Sequence, residues 1–279
     1  MTTVDPGAQY VLGNTQTEHE RLARQAMRYD PLSERLFREA GIGPGQRVMD
    51  LGSGAGHVSM LAARLVGPSG EVVGVERDPS SVAYAQSRAA QAGLRNVSFT
   101  QSDVNLISRT KPFDAAVGRF ILMFLPDPVG VLRSLSGFVR PGGVIAFQEV
   151  SQALMIRRSE NLPLCSASVA LIHETLKRSG ANPEMGFDLY QAFQDAGLPA
   201  PTMRMEMPVG DNQEFALWVA DTLQSMRPRM QQLNLSSNSL GDWSTLAKRL
   251  QDEAASSRKA AAWFAAVGAW STTPTTATA

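Results

Sequence analysis

The chain has 279 residues, 43% of them apolar, which is enough to bury one large or two small cores. Its 26 basic and 26 acidic side chains balance, so it lacks the basic excess of a duplex-binding protein, and nucleic acid is not an expected partner. The single cysteine, Cys165, excludes an internal disulfide framework and a cysteine-based zinc site. His19, His57 and His173 are too scattered for a metal cluster, so no metal is expected.

The opening MTTVDPGAQY has no basic segment followed by an apolar run, so a secretory signal is not expected. The apolar stretch Ala260–Trp270 falls well short of the ~18 residues of a membrane span. A cytoplasmic protein without a membrane span is the expectation. Residues 1–45 read as a helical entry. Thr17 and Glu20 fit a capping box, and Leu22, Ala23, Ala26 and Met27 recur at helical spacing. Asp30-Pro31 predicts the start of a second helix that turns Leu32, Leu36 and Phe37 inward until Gly41.

From 46 to 151 short apolar runs alternate with helices. Strands are predicted at Arg47–Asp50, Val72–Glu76, Val97–Thr100, Ala115–Gly118 and Val144–Glu149, with helices near His57–Val66, Ser80–Ala92 and Pro128–Val139. Continuous apolar strands joined by helices indicate a parallel sheet covered on both faces, and right-handed crossovers make it doubly wound. Residues 152–270 supply further helices and the last two strands of the same domain. Ala200–Pro208 alternates strictly, with Met203, Met205 and Met207 on the face expected to pack on the sheet, and Ala260–Trp270 is the last strand. The tail 271–279 is rich in Thr, Pro and Ala and is expected to be disordered.

The informative stretch is Asp50-Leu51-Gly52-Ser53-Gly54-Ala55-Gly56, where the first strand turns into the first crossover helix. Alternate glycines let a ligand approach the backbone, and the helix start offers unpaired N–H groups. A dinucleotide fingerprint would need glycine at position 57, which is His57. The acid two residues before Gly52 would repel a pyrophosphate but can hold an ammonium group. Glu76, closing the second strand, can take two ribose hydroxyls. Asp103, after the third strand, can accept from an exocyclic amine. The three carboxylates together fit a nucleoside bearing an amino-acid chain.

These stretches, with Phe113–Phe120 and Leu132–Gly143, resemble the class I S-adenosylmethionine-dependent methyltransferases, in the ubiquinone/menaquinone-type (type 11-like) branch. The resemblance covers Gln46–Glu149. It implies an α/β, Rossmann-like, doubly wound seven-stranded sheet of order 3-2-1-4-5-7-6. The last strand is antiparallel, with an N-terminal helical cover and a helical lid insertion. It implies S-adenosylmethionine as cofactor. Asp50, Gly52, Ser53, Gly54 and Gly56 would hold the methionine part, Glu76 the ribose and Asp103 the adenine amine, with Arg77 and Val104 as further cofactor-binding residues. Arg119 and Phe120 would lie near the sulfonium. Tyr10-Val-Leu-Gly and Glu20–Gln25 are similar to a subset whose N-terminal helices cover the cofactor, which adds Tyr10 and Gln25. Those helices are also the candidate homo-oligomer contact.

The segment Gly118-Arg119-Phe120-Ile121 departs from the Asn/Asp-Pro-Pro-Tyr/Phe of enzymes that methylate planar amino groups. That departure argues against a nucleic-acid amine. The apolar content of the lid segment Ser151–Leu198 (Leu154, Met155, Leu162, Leu164, Val169, Ile172) makes a small, fairly apolar metabolite the expected acceptor. His173, in an apolar helical run, and Glu149, at the end of the fifth strand, are the candidate catalytic residues; a satisfied core histidine is the plainer reading of the first. His57, in the first turn of a helix, is expected to be a neutral cofactor neighbour. The alternatives are a cofactor-binding protein that does not methylate, such as a pericyclase or regulatory module, and a nicotinamide-dependent oxidoreductase.

Overall fold

The computed structural model describes residues 16–103, 111–210, 212–257 and 259–275. These fall into two compact units. The sheet unit comprises Ala23–Leu154, Asn182–Pro208 and Phe264–Ala279, and the helical unit Met1–Leu22, Met155–Ala181 and Val209–Trp263.

The strands of the sheet unit are β1 (Arg47–Leu51), β2 (Glu71–Glu76), β3 (Val97–Gln101), β4 (Phe113–Arg119), β5 (Val139–Ser151), β6 (Thr202–Glu206) and β9 (Ala265–Thr272). They form one sheet in the order β3-β2-β1-β4-β5-β9-β6. The first five run parallel and β9 is antiparallel to both neighbours, as expected for the last strand. The pair β7 (Val209–Gly210) and β8 (Ala261–Ala262) makes a separate two-residue ladder in the helical unit.

Apolar runs with no polar alternation need cover on both faces. Helix α1 (Gln16–Glu39) lays Leu36 and Phe37, and α2 (His57–Val66) lays Val58, Leu61, Ala62 and Leu65, against Val48, Val72, Val117 and Ala146. Helix α3 (Pro79–Gln91) packs Val82, Ala85 and Ala89 around Phe99 with Met60. At β9 successive residues point to opposite faces: a Cβ on Gly268 would lie 2.7 Å from Leu36 of α1. A Cβ on Gly186 of α7 (Met185–Asp195) would lie 2.7 Å from Val267. The double winding is therefore visible at two adjacent residues. Helix α4 (Pro128–Ser136) completes this unit.

Several expectations are corrected. The entry is one helix, not two: Pro31 sits inside α1, and the carbonyl it leaves without a donor belongs to Met27, which is 73% exposed and open to water. Met27 thus faces out, while Tyr29, Leu32, Leu36 and Phe37 are buried. Strand β5 begins at Val139, and the ladder shifts register between Phe113 and Ala115 to admit Pro141-Gly142-Gly143. Met205 is 47% exposed because β6 is the edge strand, paired on one side only, and does not pack its methionines fully. The predicted strand Ala260–Trp270 is broken at Trp263 and Phe264. Trp263 packs with Phe215 and Trp218, and Phe264 stacks on Tyr29. The tail is ordered at its start: β9 runs to Thr272, and Thr273 exchanges backbone bonds with Gly142 and Gly143, while 276–279 lie outside the described residues. Within 152–270, α7, β6 and β9 lie in the sheet unit and α6, α8 and α9 in the helical unit.

The helical unit holds the end of α5 (Ala153–Ser159), α6 (Pro163–Arg178), α8 (Asn212–Gln232) and α9 (Leu246–Ser256). Helix α6 has no side-chain cap of its own. Glu253 of α9 supplies one, accepting the Leu164 and Cys165 N–H groups at 2.8 Å each. Among the described residues no helix is long and apolar enough to cross a membrane.

Candidate active site

Asp50 is the penultimate residue of β1, within its buried run, and is 1% exposed. Ser59, on the first turns of α2, donates its hydroxyl to Asp50 Oδ2 at 2.5 Å. Asp50 Oδ1 and the Ser53 hydroxyl are buried with no hydrogen-bond partner among the described residues. Buried polar atoms are nearly always satisfied, so such a pair on one loop marks a place built for a polar ligand. Burial pushes the Asp50 carboxyl from 3.8 up to about 7, against the Ser59 hydrogen bond and the Arg119 charge, which pull it down.

The loop between β1 and α2 needs its glycines for two reasons. Gly52 and Gly56 have φ of 65° and 80°, in the left-handed region. A Cβ on Gly52 would also meet Ile121 at 2.5 Å, and one on Gly56 would meet Phe99 at 2.9 Å. Gly52 and Ser53 donate to the Val75 carbonyl, which fastens the loop to β2. Helix α2 has no side-chain cap, so its first N–H groups are available to a ligand.

Glu76 closes β2 and is half-buried. Its Oε2 accepts the Gly54 N–H at 3.0 Å, and its Oε1 accepts the N–H groups of Arg77 (2.7 Å) and Asp78 (3.0 Å). It therefore ties the glycine loop to the start of α3 while Oε2 keeps acceptor capacity for a hydroxyl. Arg77 is exposed and takes part through its backbone. Asp103 is half-buried just beyond β3, after Ser102, whose N–H donates to the Glu76 carbonyl. Gln25 is half-buried on α1. Tyr10 and Val104 lie outside the described residues.

Arg119, at the end of β4, donates to Asp30 Oδ1 and to the Ser33 hydroxyl, each at 2.9 Å. Ser33 in turn donates to Gln148 Oε1 at 2.7 Å. Phe120 has φ of 54°, rare for a residue with a side chain, and its ring packs edge-on to Tyr29 and Phe264 at 5.3 and 5.2 Å. The strain is held by Glu149. Fully buried, this carboxylate accepts the N–H groups of Ile121 (2.9 Å), Leu122 (2.8 Å) and Met123 (3.3 Å), and burial pushes its pKa from 4.5 up to about 7. Both its oxygens point at backbone of the β4 loop.

His173 is half-buried on α6, in the helical unit. His57 Nδ1 lies 3.3 Å from the Arg88 guanidinium. Among the described residues no group of three or more metal-ligating side chains occurs.

Sequence reasoning missed Tyr29, Ser33, Ser59, Ile121 and Phe264. Ser59 alone left a signal, one helical step after the glycine loop. The others come from three separate segments, α1, the loop after β4 and the residue before β9, that only the fold assembles.

A pH dependence follows. Asp50 and Glu149 bind protons more tightly folded than unfolded, so the stability they confer is fully present below about pH 4 and is lost as pH rises through about 7. Urea unfolding from pH 4 to 8 is expected to show declining stability, with a shallower decline in Asp50→Asn. An identical slope in that variant would remove Asp50 from the account.

A seven-stranded sheet of this order, with an acid near the end of β1, a glycine loop after it and a second acid closing β2, defines a doubly wound α/β protein of Rossmann-like fold. Residues 42–197, more than half of the chain, match the methyltransferase domain family, and the chain belongs to that family. It is 34% identical over 120 residues to aklanonic acid methyltransferase DauC of Streptomyces sp. strain C5, covering 43% of this chain and 54% of that one. It is 32% identical over 114 residues to an arsenite methyltransferase of Halobacterium salinarum, covering 40% of this chain and 29% of that one. The chain thus spans about half or less of these relatives. In fold it is similar to the YcgJ protein of Bacillus subtilis, with a TM-score of 0.55 and 16% identity, over 86% of this chain and 97% of that one.

Proposed function

We propose that the protein is an S-adenosylmethionine-dependent methyltransferase that acts on a small, fairly apolar metabolite in the cytoplasm. One observation carries this: the buried, partnerless Asp50 Oδ1 beside the glycine loop, with Glu76 bound to the same loop, in a chain of the methyltransferase domain family. The residues present fit the cofactor. Asp50 and Ser53 suit the ammonium and carboxylate of its amino-acid chain, Glu76 its ribose, and Asp103 its adenine amine. When bound, S-adenosylmethionine supplies a methyl group on a sulfonium whose departure needs no protonation.

The chain's own contribution is then alignment and exclusion of water. Asp50 holds an ammonium, which favours its ionised form, so cofactor affinity should rise with pH up to about 7. Glu149 orients the Phe120 loop through its three amide bonds rather than moving a proton. The balanced charge and the Gly118–Ile121 segment support a small acceptor over a nucleic acid. Two relatives are named for methylating aklanonic acid and arsenite, both small molecules.

The test is calorimetric titration with S-adenosylhomocysteine, followed by a metabolite screen for a product one methyl heavier. No binding of S-adenosylhomocysteine sinks the reading. Binding without any methylated product in the presence of S-adenosylmethionine would favour a cofactor-binding protein that does not methylate. His173→Ala is expected to reduce turnover by about tenfold. A loss near a thousandfold with intact cofactor affinity would make His173 a base for a protonated acceptor.

A further inference from the structure

The helical unit contains a cavity of about 310 Å³, at the small end of the about 300–1,000 Å³ of ligand pockets. Its walls come from the end of α5, the start of α6, α8, α9 and the chain leading into β8. Met155, Cys165, Phe215, Leu250 and Ala254 make it apolar, and all five are buried. The walls are fastened from outside the cavity's own packing. The Asn212 amide holds the carbonyls of Ala254, Ser257 and Lys259, and the Glu253 carboxylate holds the first turn of α6. A space with walls tied in this way does not close simply because apolar side chains favour contact.

Among the described residues the rim carries charge of one sign: Arg158, Asn161 and Lys259 line the cavity and are exposed, and no described carboxylate lines it. The neighbouring acids are committed elsewhere: Glu160 to Arg157, Asp252 to Lys248, and Glu253 to two backbone amides. Neither Arg158 nor Lys259 has an ion pair among the described residues. A short apolar chamber with two cations at its rim complements a molecule with an apolar body and one anionic end.

We infer that this cavity is a binding site for a compact apolar carboxylic acid, its body against Met155, Phe215 and Leu250 and its carboxylate on Arg158 and Lys259. A planar carboxylate matches the guanidinium fork of Arg158. The site stands independently of the methyl-transfer reading.

Trp218 and Trp263 pack on Phe215, so their fluorescence reports occupancy. The whole protein is titrated with 1-naphthoate and with octanoate, by tryptophan fluorescence and calorimetry. Saturable binding at one site is expected, with 1-naphthamide at least about tenfold weaker than 1-naphthoate because it lacks the charge. The double variant Arg158→Ala/Lys259→Ala should lose about tenfold in affinity for the acids. Ala216→Phe, which fills the chamber, should abolish binding; should it not fold, the surface charge variant still decides. No saturation with either acid, equal affinity for acid and amide, or unchanged binding in the charge variant would each overturn the site. S-adenosylhomocysteine is titrated in parallel, so a failure of this site and a failure of the methyltransferase reading are told apart.

Discussion

Glu149→Ala is expected to destabilise the protein by about 3–5 kcal/mol, because it leaves three buried N–H groups without an acceptor and opens a cavity beneath them. Those N–H groups belong to the Ile121–Met123 turn, whose N-terminal neighbour Phe120 is held in a left-handed conformation that costs energy by itself. Ile121 rests where a side chain on Gly52 would be, so loosening the turn also loosens the floor of the glycine loop. Glu149→Gln keeps one oxygen for two of the donors but turns its amide towards the third, and about 1–2 kcal/mol is expected. Denaturant unfolding measures both. An alanine variant within about 1 kcal/mol of the parent would show that the clamp is not structural. A thousandfold loss of turnover at unchanged stability and cofactor affinity would instead make Glu149 the catalytic base.

Removing the second acid is expected to act on binding more than on folding. Glu76→Ala should weaken S-adenosylhomocysteine by roughly 30- to 150-fold, or about 2–3 kcal/mol, through loss of a charged acceptor for the ribose hydroxyls. Part of that loss comes through the protein, since the same carboxylate fixes the Gly54, Arg77 and Asp78 amides around the loop. Glu76→Gln separates the two contributions: one oxygen still accepts from the backbone, while the charge is gone. Calorimetry giving the parent affinity in Glu76→Ala would remove this residue from the cofactor site.

The strands β1, β2 and β4 and the second half of β5 were legible as short apolar runs, and β3 as an alternation around Phe99. The start of β5 at Val139 was hidden by Pro141-Gly142-Gly143; the helices between the strands are amphipathic. The acids Asp50, Glu76 and Asp103 were legible because a parallel sheet places the ends of consecutive strands at one edge. The helix through Pro31 was not legible. A proline at that spacing reads as a start, and only the burial of Tyr29, Leu36 and Phe37 on the sheet makes a continuous helix worth one missing hydrogen bond. The break at Trp263-Phe264 was hidden for the same kind of reason, since both rings suit a strand and their separate aromatic partners lie far away in sequence.

By itself, then, the sequence determined the doubly wound core, the glycine loop and the acids at the strand ends, since periodicity and spacing are local properties. The tertiary structure alone decided what Glu149 and Arg119 do. One is turned onto the backbone of the β4 loop, and the other is paired with Asp30 and Ser33 of α1. A buried charge takes its role from whichever partners surround it, and here those partners come from segments that only the folded chain brings within hydrogen-bonding distance.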